Sequence, residues 1–134
     1  MKKVPAKKSK KGFTLIELVV VIAILGILAA ILVPVISGFI DTANLAADNA
    51  NGRLVYQSAA MWYASNNPTD ASTPLSYDDV KTYIDASATA FPVIKSKTLS
   101  AGAGGWSLAV ASDGTITLSY NAHPYVATEA KFTP

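Results

Sequence analysis

Lys11-Gly12-Phe13-Thr14-Leu15-Ile16-Glu17-Leu18 opens the stretch that decides the fold, and after Glu17 the chain runs to Asp41 without another charge. Every residue from Leu18 to Ile36 is aliphatic, glycine or proline. A helix rising about 1.5 Å per residue covers roughly 28 Å over that stretch, close to the hydrocarbon thickness of a bilayer. Lys2, Lys3, Lys7, Lys8, Lys10 and Lys11 precede it with no acid among them. Positive charge on that side predicts a cytoplasmic N-terminus and an exported C-terminus. A secretory signal peptide would also join lysines to an apolar core, but this run exceeds the usual length and carries a carboxylate near its start. Against a plain single-pass anchor, only Glu17 and its neighbours argue.

Composition agrees with a membrane segment on one small domain. The chain has 134 residues, 51% hydrophobic against 15% charged, and a mean hydropathy of +0.33. That balance is too apolar for a disordered protein or an ordinary nucleic-acid-binding one. The absence of cysteine excludes disulfides, Cys-ligated metal and a thiol nucleophile, and one histidine leaves little for a His-based site. The net charge of +2 hides an asymmetry: beyond the six leading lysines, five basic residues face nine acids, leaving −4. That acidity argues against direct nucleic-acid binding.

Beyond Ile36 the apolar pattern narrows to one face. Phe39, Ala43, Ala46, Ala50, Leu54, Ser58 and Met61 recur at three- or four-residue steps, flanked by Ile40, Ala47 and Val55. This periodicity predicts a helix whose stripe covers a small domain. Pro68 ends it, since proline cannot continue the ladder and disfavours helical geometry at Asn67. An unbroken helix from about Phe13 to Ser65 would be roughly 80 Å long. Gly38 and Gly52 are weak points within it.

Residues 67–134 read as an α+β region. Ser76 followed by Asp79 resembles a capping box and opens a short helix with Val80, Tyr83 and Ile84 inward. Phe91–Leu99 reads as a strand, placed at an edge by Pro92. Ala101–Gly105 is a loop. Trp106–Ala111 and Thr115–Tyr120 are the clearest strands. A two-residue Asp113-Gly114 turn would put their apolar residues on opposite faces. A three-residue loop of Ser112, Asp113 and Gly114 instead pairs Val110 with Ile116, Leu108 with Leu118 and Trp106 with Tyr120 on one side. Burial favours the second, with Gly114 left-handed in a bulge. A short strand follows around Tyr125-Val126.

Glu17 needs a reason. An acid at mid-bilayer costs about 2.5–3.5 kcal/mol, less toward the interface. It can be shallow enough to reach water, or it can have a partner. Cutting the chain after Gly12 creates one, because Phe13 then carries a free amine four residues from its own Glu17, and a neighbouring helix could offer the same amine. Pairing across molecules would remove two charges from lipid and set the stagger between subunits.

The segment Lys11–Leu18 resembles the class III signal and methylation motif of type IV pilins and pseudopilins, and the likeness covers roughly residues 10–38, including Gly26 and Pro34. It implies a pilin-like α+β fold, with a spine helix over about 13–65 packed at its C-terminal half on a small antiparallel β-sheet. Residues 1–12 would be a basic leader, 13–40 the transmembrane and polymerisation half of the helix, and 41–134 an exported head containing its amphipathic half. The implied events are cleavage between Gly12 and Phe13 by a prepilin peptidase, N-methylation of Phe13, and neutralisation of the Phe13 amine by Glu17 of an adjacent subunit. The implied partners are that peptidase, the bilayer before assembly, further pilin subunits in a helical homopolymer, and an inner-membrane platform protein with its assembly ATPase. Gly26 and Pro34 are the family's helix-weakening positions, where filament subunits lose helix; a simple membrane-helix kink is the other reading of Pro34. The lack of cysteine departs from many Gram-negative members and fits Gram-positive pilins or secretion pseudopilins.

On this reading the protein is a structural subunit of an extracellular pilus serving motility, adhesion or DNA uptake, or else a pseudopilin of a type II secretion or competence system. It is not an enzyme. His123 has no accompanying serine motif, Asp78 and Asp79 point apart on a helix, and Ala101–Gly105 lacks the Lys-Ser/Thr ending of a phosphate loop. No cofactor or metal is expected, Asp113 and Glu129 being too few and too scattered for calcium. Trp106, Tyr120, Tyr125 and Phe132 could form an adhesive aromatic patch, but the alternation of Trp106 and Tyr120 with Leu108, Val110, Ile116 and Leu118 favours core.

Overall fold

A computed structural model of the chain describes residues 12–100 and 104–133. The leader up to Lys11 and residues 101–103 of the glycine-rich loop lie outside the described residues. The described residues divide into two compact units, one ending at Ser37 and the other beginning at Gly38. Helix α1, Leu15–Asn66, contributes to both.

In the first unit, the described part of α1 is apolar all round and its side chains are exposed. An 18-residue window of the helix has a mean hydropathy of 3.2 and no part of it is buried. Such a surface is the opposite of a soluble protein's core helix and suits a lipid environment.

The second unit carries the core. The last part of α1 is followed by β1 (Thr73–Pro74), α2 (Tyr77–Ile84), α3 (Lys97–Ser100), β2 (Trp106–Val110), β3 (Ile116–Tyr120), β4 (His123–Val126) and β5 (Lys131–Phe132). Among the described residues the five strands form one antiparallel sheet in chain order. This is the expected α+β arrangement of a long N-terminal helix followed by a small antiparallel sheet. Val55 and Ala59 of α1 join Val80, Ile94, Leu99, Leu108, Val110, Leu118, Tyr125 and Phe132 in one hydrophobic cluster.

The β2–β3 hairpin has the expected register, with Trp106 opposite Tyr120, Leu108 opposite Leu118 and Val110 opposite Ile116. Its turn explains why. Gly114 N–H donates to the Ala111 carbonyl at 3.0 Å, Ala111 N–H donates to Thr115 O at 2.9 Å, and Gly114 has φ +88°. This closes a three-residue loop with a left-handed glycine. A Cβ on Gly114 would also come within 3.3 Å of the Tyr63 ring, so the position is constrained twice. The β3–β4 turn is tighter. Asn121 and Ala122 both take positive φ, as a two-residue mirror-image turn demands.

The ends of α1 have local causes. Thr14 stands just before the first helical residue, so the helix begins at Leu15 rather than Phe13. At the other end Asn67 turns left-handed at φ 44° and its N–H reaches the Tyr63 carbonyl at 3.0 Å, immediately before Pro68. Helix α2 opens as expected. The Asp79 carboxylate accepts both the N–H and the hydroxyl of Ser76, each at 2.7 Å.

Two expectations fail, one of them only in part. Phe91–Leu99 is not a strand; it is an irregular segment leading into α3. Its backbone is satisfied from the helix instead of from a ladder. Asp48, fully buried, accepts N–H bonds from Lys95 and Ser96, and Asp41 accepts the N–H of Lys97 at 2.8 Å. The inward stripe of α1 is met only in part: of the expected residues, Ser58 and the flanking Val55 are buried. Phe39, Ala43, Ala46, Ala50, Leu54 and Met61 are exposed, whereas Asp48, Gly52, Val55, Ser58 and Ala59 are buried. The polar residues explain the rotation. Asp41, Asp48 and Asn49 supply acceptors to backbone N–H groups of the head, Asn49 taking that of Phe132 at 2.9 Å. Those bonds turn a partly polar face inward and leave the more uniformly apolar one outside.

Candidate functional site at the start of the helix

Gly12 and Phe13 precede α1 in non-helical backbone, and both are exposed, Phe13 at 94%. Glu17 lies in the first turn. Phe13, Ile16, Glu17, Val20 and Val21 line one shallow apolar groove along this end of the helix, so the structure gathers Phe13 and Glu17 on one side.

The nearest polar partner of Glu17 is a residue that sequence reasoning left unused. Thr14 N–H donates to Glu17 Oε2 at 2.8 Å, and Thr14 Oγ1–H donates to the same oxygen at 2.9 Å. Glu17 N–H in turn donates to Thr14 Oγ1 at 3.3 Å. This is a reciprocal capping box, in which a threonine and a glutamate three residues apart satisfy N–H groups that the first helical turn leaves without partners. The signal was present in the sequence as Thr14-Leu15-Ile16-Glu17 ahead of an apolar run. A reading of Glu17 as a charge, either shallow enough to reach water or paired with a cation, leaves this capping role out.

Gly26 and Pro34 both sit inside unbroken α-helix. Nothing lies within 4 Å of the space a Gly26 side chain would take. Pro34 has no N–H to give to the carbonyl one turn earlier, that of Ala30. The Ser37 hydroxyl donates to the Val33 carbonyl at 3.0 Å just beyond it.

The other residues weighed from sequence are occupied locally. Trp106 Nε1–H donates to the Pro92 carbonyl at 2.9 Å, and its ring lies 5.3 Å from that of Tyr120 and 5.8 Å from those of Phe91 and Phe132. Tyr125 and Phe132 are buried, and Trp106 and Tyr120 are half-buried against the core, so these four rings are packing residues. His123 Nδ1–H donates to the Thr133 carbonyl at 3.1 Å. Asp78 pairs with Lys81 at 2.9 Å, and Asp79 caps α2. Among the described residues no cluster of three or more His, Asp or Glu side chains is placed to hold a metal ion.

Comparison with known proteins bears on this same end of the chain. The family model described as the prokaryotic N-terminal methylation motif matches residues 7–33. That span contains Gly12, Phe13, Thr14, Glu17 and Gly26. No curated protein and no solved structure matches the chain. The motif and the apolar helix together mark a precursor resembling type IV pilins and pseudopilins, and they fit a single-pass membrane protein.

Proposed function

We propose that the protein is a type IV pilin: a structural subunit cut between Gly12 and Phe13 by a prepilin peptidase, N-methylated on Phe13 and polymerised into an extracellular pilus. The observation that carries this reading is the methylation-motif match across residues 7–33, which brackets the Gly12–Phe13 bond and Glu17. Before assembly the chain spans the cytoplasmic membrane once, N-terminus inside and head outside, as the lysine-rich leader directs. During assembly Glu17 pairs with the Phe13 amine of an adjacent subunit, which relieves both charges in lipid. The platform protein and its ATPase extract the subunits, and the stretch between Gly26 and Pro34 lengthens by losing helix. The chain has no catalytic role; the peptidase performs the chemistry.

Two features support polymerisation. The first unit exposes apolar side chains on every side of α1. In the second unit the helix face bearing Phe39, Ala43, Ala46, Ala50, Leu54 and Met61 is exposed as well, and apolar surface of that kind marks interaction sites. The lack of cysteine fits pilins of Gram-positive bacteria. A pseudopilin of a type II secretion or competence system is the second reading, favoured by the same motif. It would produce a secretion or transformation defect without surface filaments. Mass spectrometry of the mature chain tests the proposal: it should begin at methylated Phe13. A mature chain that retains residues 1–12 would overturn it.

A further inference from the structure

We propose that the end of the head where α1 enters it is a docking surface for anionic phospholipid headgroups, with the side chains of Lys95 and Lys97 as its cationic contacts. The inference rests on the single-pass membrane reading above and concerns the chain before assembly. The helix itself sets the level of this surface. No charge occurs between Glu17 and Asp41, and Phe39 and Ile40, 71% and 56% exposed, carry the apolar surface right up to Asp41. Asp41 therefore marks where the chain leaves the apolar phase and enters the headgroup layer, about 5–8 Å deep. The segment bearing the two lysines is tied to that level. Lys97 N–H donates to the Asp41 carboxylate at 2.8 Å. The N–H groups of Lys95 and Ser96 donate to Asp48, two turns further along the helix.

Charge separates along the head in the sense that an anionic surface selects. The two carboxylates at this end are committed to main-chain N–H groups, Asp48 fully buried and Asp41 half-buried. Lys95 and Lys97 are exposed, and neither ammonium belongs to an ion pair; among the described residues those pairs are Lys81 with Asp78 and Lys131 with Glu129. The opposite end has the reverse sign. There the Tyr63 hydroxyl donates to the Ser112 carbonyl at 3.1 Å, beside Asp113, and Ser112 N–H donates to the Asp70 carbonyl at 3.0 Å. Helix α2, which carries Asp79, joins the same end through the Tyr83 hydroxyl and Ser65 Oγ, 3.0 Å apart. Asp70, Asp79 and Asp113 are all exposed. From Asp41 to Tyr63 the helix rises roughly 33 Å, so the exposed cations and the exposed acids occupy opposite ends. A negative lipid surface attracts lysines held within a Debye length of it. Lysine suits the position, because its ammonium reaches a phosphate while its methylenes stay on apolar surface. The acidic end of a second copy would also match these lysines. Lipid is favoured because the chain that bears them is continuous with the apolar run, which keeps headgroups beside them, whereas a second copy must be met by diffusion.

The experiment reconstitutes the full-length chain at low salt into two kinds of vesicle, phosphatidylcholine alone and phosphatidylcholine mixed equally with phosphatidylglycerol. A water-soluble amine-acylating reagent is added, and mass spectrometry reads the rate at each lysine. In the anionic vesicles Lys95 and Lys97 should react about fivefold more slowly than in the neutral ones, the factor that matches the attraction of one lysine to an anionic surface. Lys81, at the acidic end, should react equally in both, and high salt should abolish the difference at Lys95 and Lys97. Equal rates at Lys95 and Lys97 in the two vesicles would overturn the docking surface and leave the membrane reading standing. Slowing of Lys81 by the same factor would overturn it too, as a general effect of the vesicle on the reagent. Protection that is equal in both lipids but grows with the amount of chain per vesicle would overturn it in favour of a second copy. Flotation of the same samples tests the premise separately: a chain that floats with neither vesicle would remove the membrane reading, and the inference with it.

Discussion

Gly52 looks like a flaw in a helix until its neighbours are placed. A Cβ there would lie 2.6 Å from Phe132 Cε2 and 2.9 Å from Tyr125 Cδ2, so the bare backbone is the seat on which the β4–β5 aromatics rest. Glycine weakens a helix by about 1 kcal/mol relative to alanine, yet here alanine would be worse. Gly52→Ala should destabilise the head by about 1–3 kcal/mol, the usual consequence of overfilling a packed core. Both tryptophans, Trp62 and Trp106, are in the second unit, so their fluorescence during denaturant unfolding of the detergent-solubilised chain reads this directly. A stability equal to or above that of the unaltered chain would show that the rings can move aside. Thr14 teaches the same lesson at the other end of α1. Its value lies in the residue three places on, not in its own polarity.

Among the elements, the segment from Phe91 to Lys97 depends most on distant partners. It has no ladder of its own, and Asp48 serves its backbone through bonds of 3.0 Å from Lys95 N–H and 2.7 Å from Ser96 N–H. Asp48 is fully buried, so deleting the carboxylate leaves those donors without water or protein to replace it. Asp48→Ala should cost about 2–3 kcal/mol of head stability. It should also abolish hydrogen-exchange protection at Lys95 and Ser96 before it affects the β2–β3 hairpin. Retained protection at those two amides would mean that the segment is held by the packing of Ile94 and Leu99 alone.

For the molecule as a whole, carboxylates held in local hydrogen bonds contribute to the response to acid. The Ser76 hydroxyl and N–H hold Asp79 below its ordinary value of 3.8. Ser87 does the same for Asp85, and Thr115, chiefly through its N–H, does so for Asp113. Groups whose folded pKa is depressed bind fewer protons in the folded than in the unfolded state. Their contribution is therefore complete above the ordinary aspartate value and is lost as pH falls below 3.8 through the folded values. The melting temperature of the head should be flat above about pH 5 and decline below that. Asp79→Asn should reduce the decline. A melting temperature that rises on acidification would contradict the assignment.

Much of this was readable from composition and order. The apolar run from Leu18 to Ile36 announces a membrane-length helix because hydrophobic burial in lipid needs no tertiary partner to be recognised. The β2–β3 register was equally legible, since only one loop length puts Trp106, Leu108, Val110, Ile116, Leu118 and Tyr120 on one side. Gly12, Phe13 and Glu17 stood out as a motif for the same reason: their meaning is local. What three-dimensional packing alone decided was which face of α1 turns inward and how residues 91–97 are held. Apolar periodicity counts residues without knowing where unpaired N–H groups will appear. Here the N–H groups of Lys95, Ser96 and Phe132, from 47 to 83 positions away in the chain, drew Asp48 to the inside with Asn49 half-buried beside it, and left Phe39, Leu54 and Met61 outside. An unsatisfied buried donor is costly enough to override a modest apolar stripe, and its position exists only once the chain has folded.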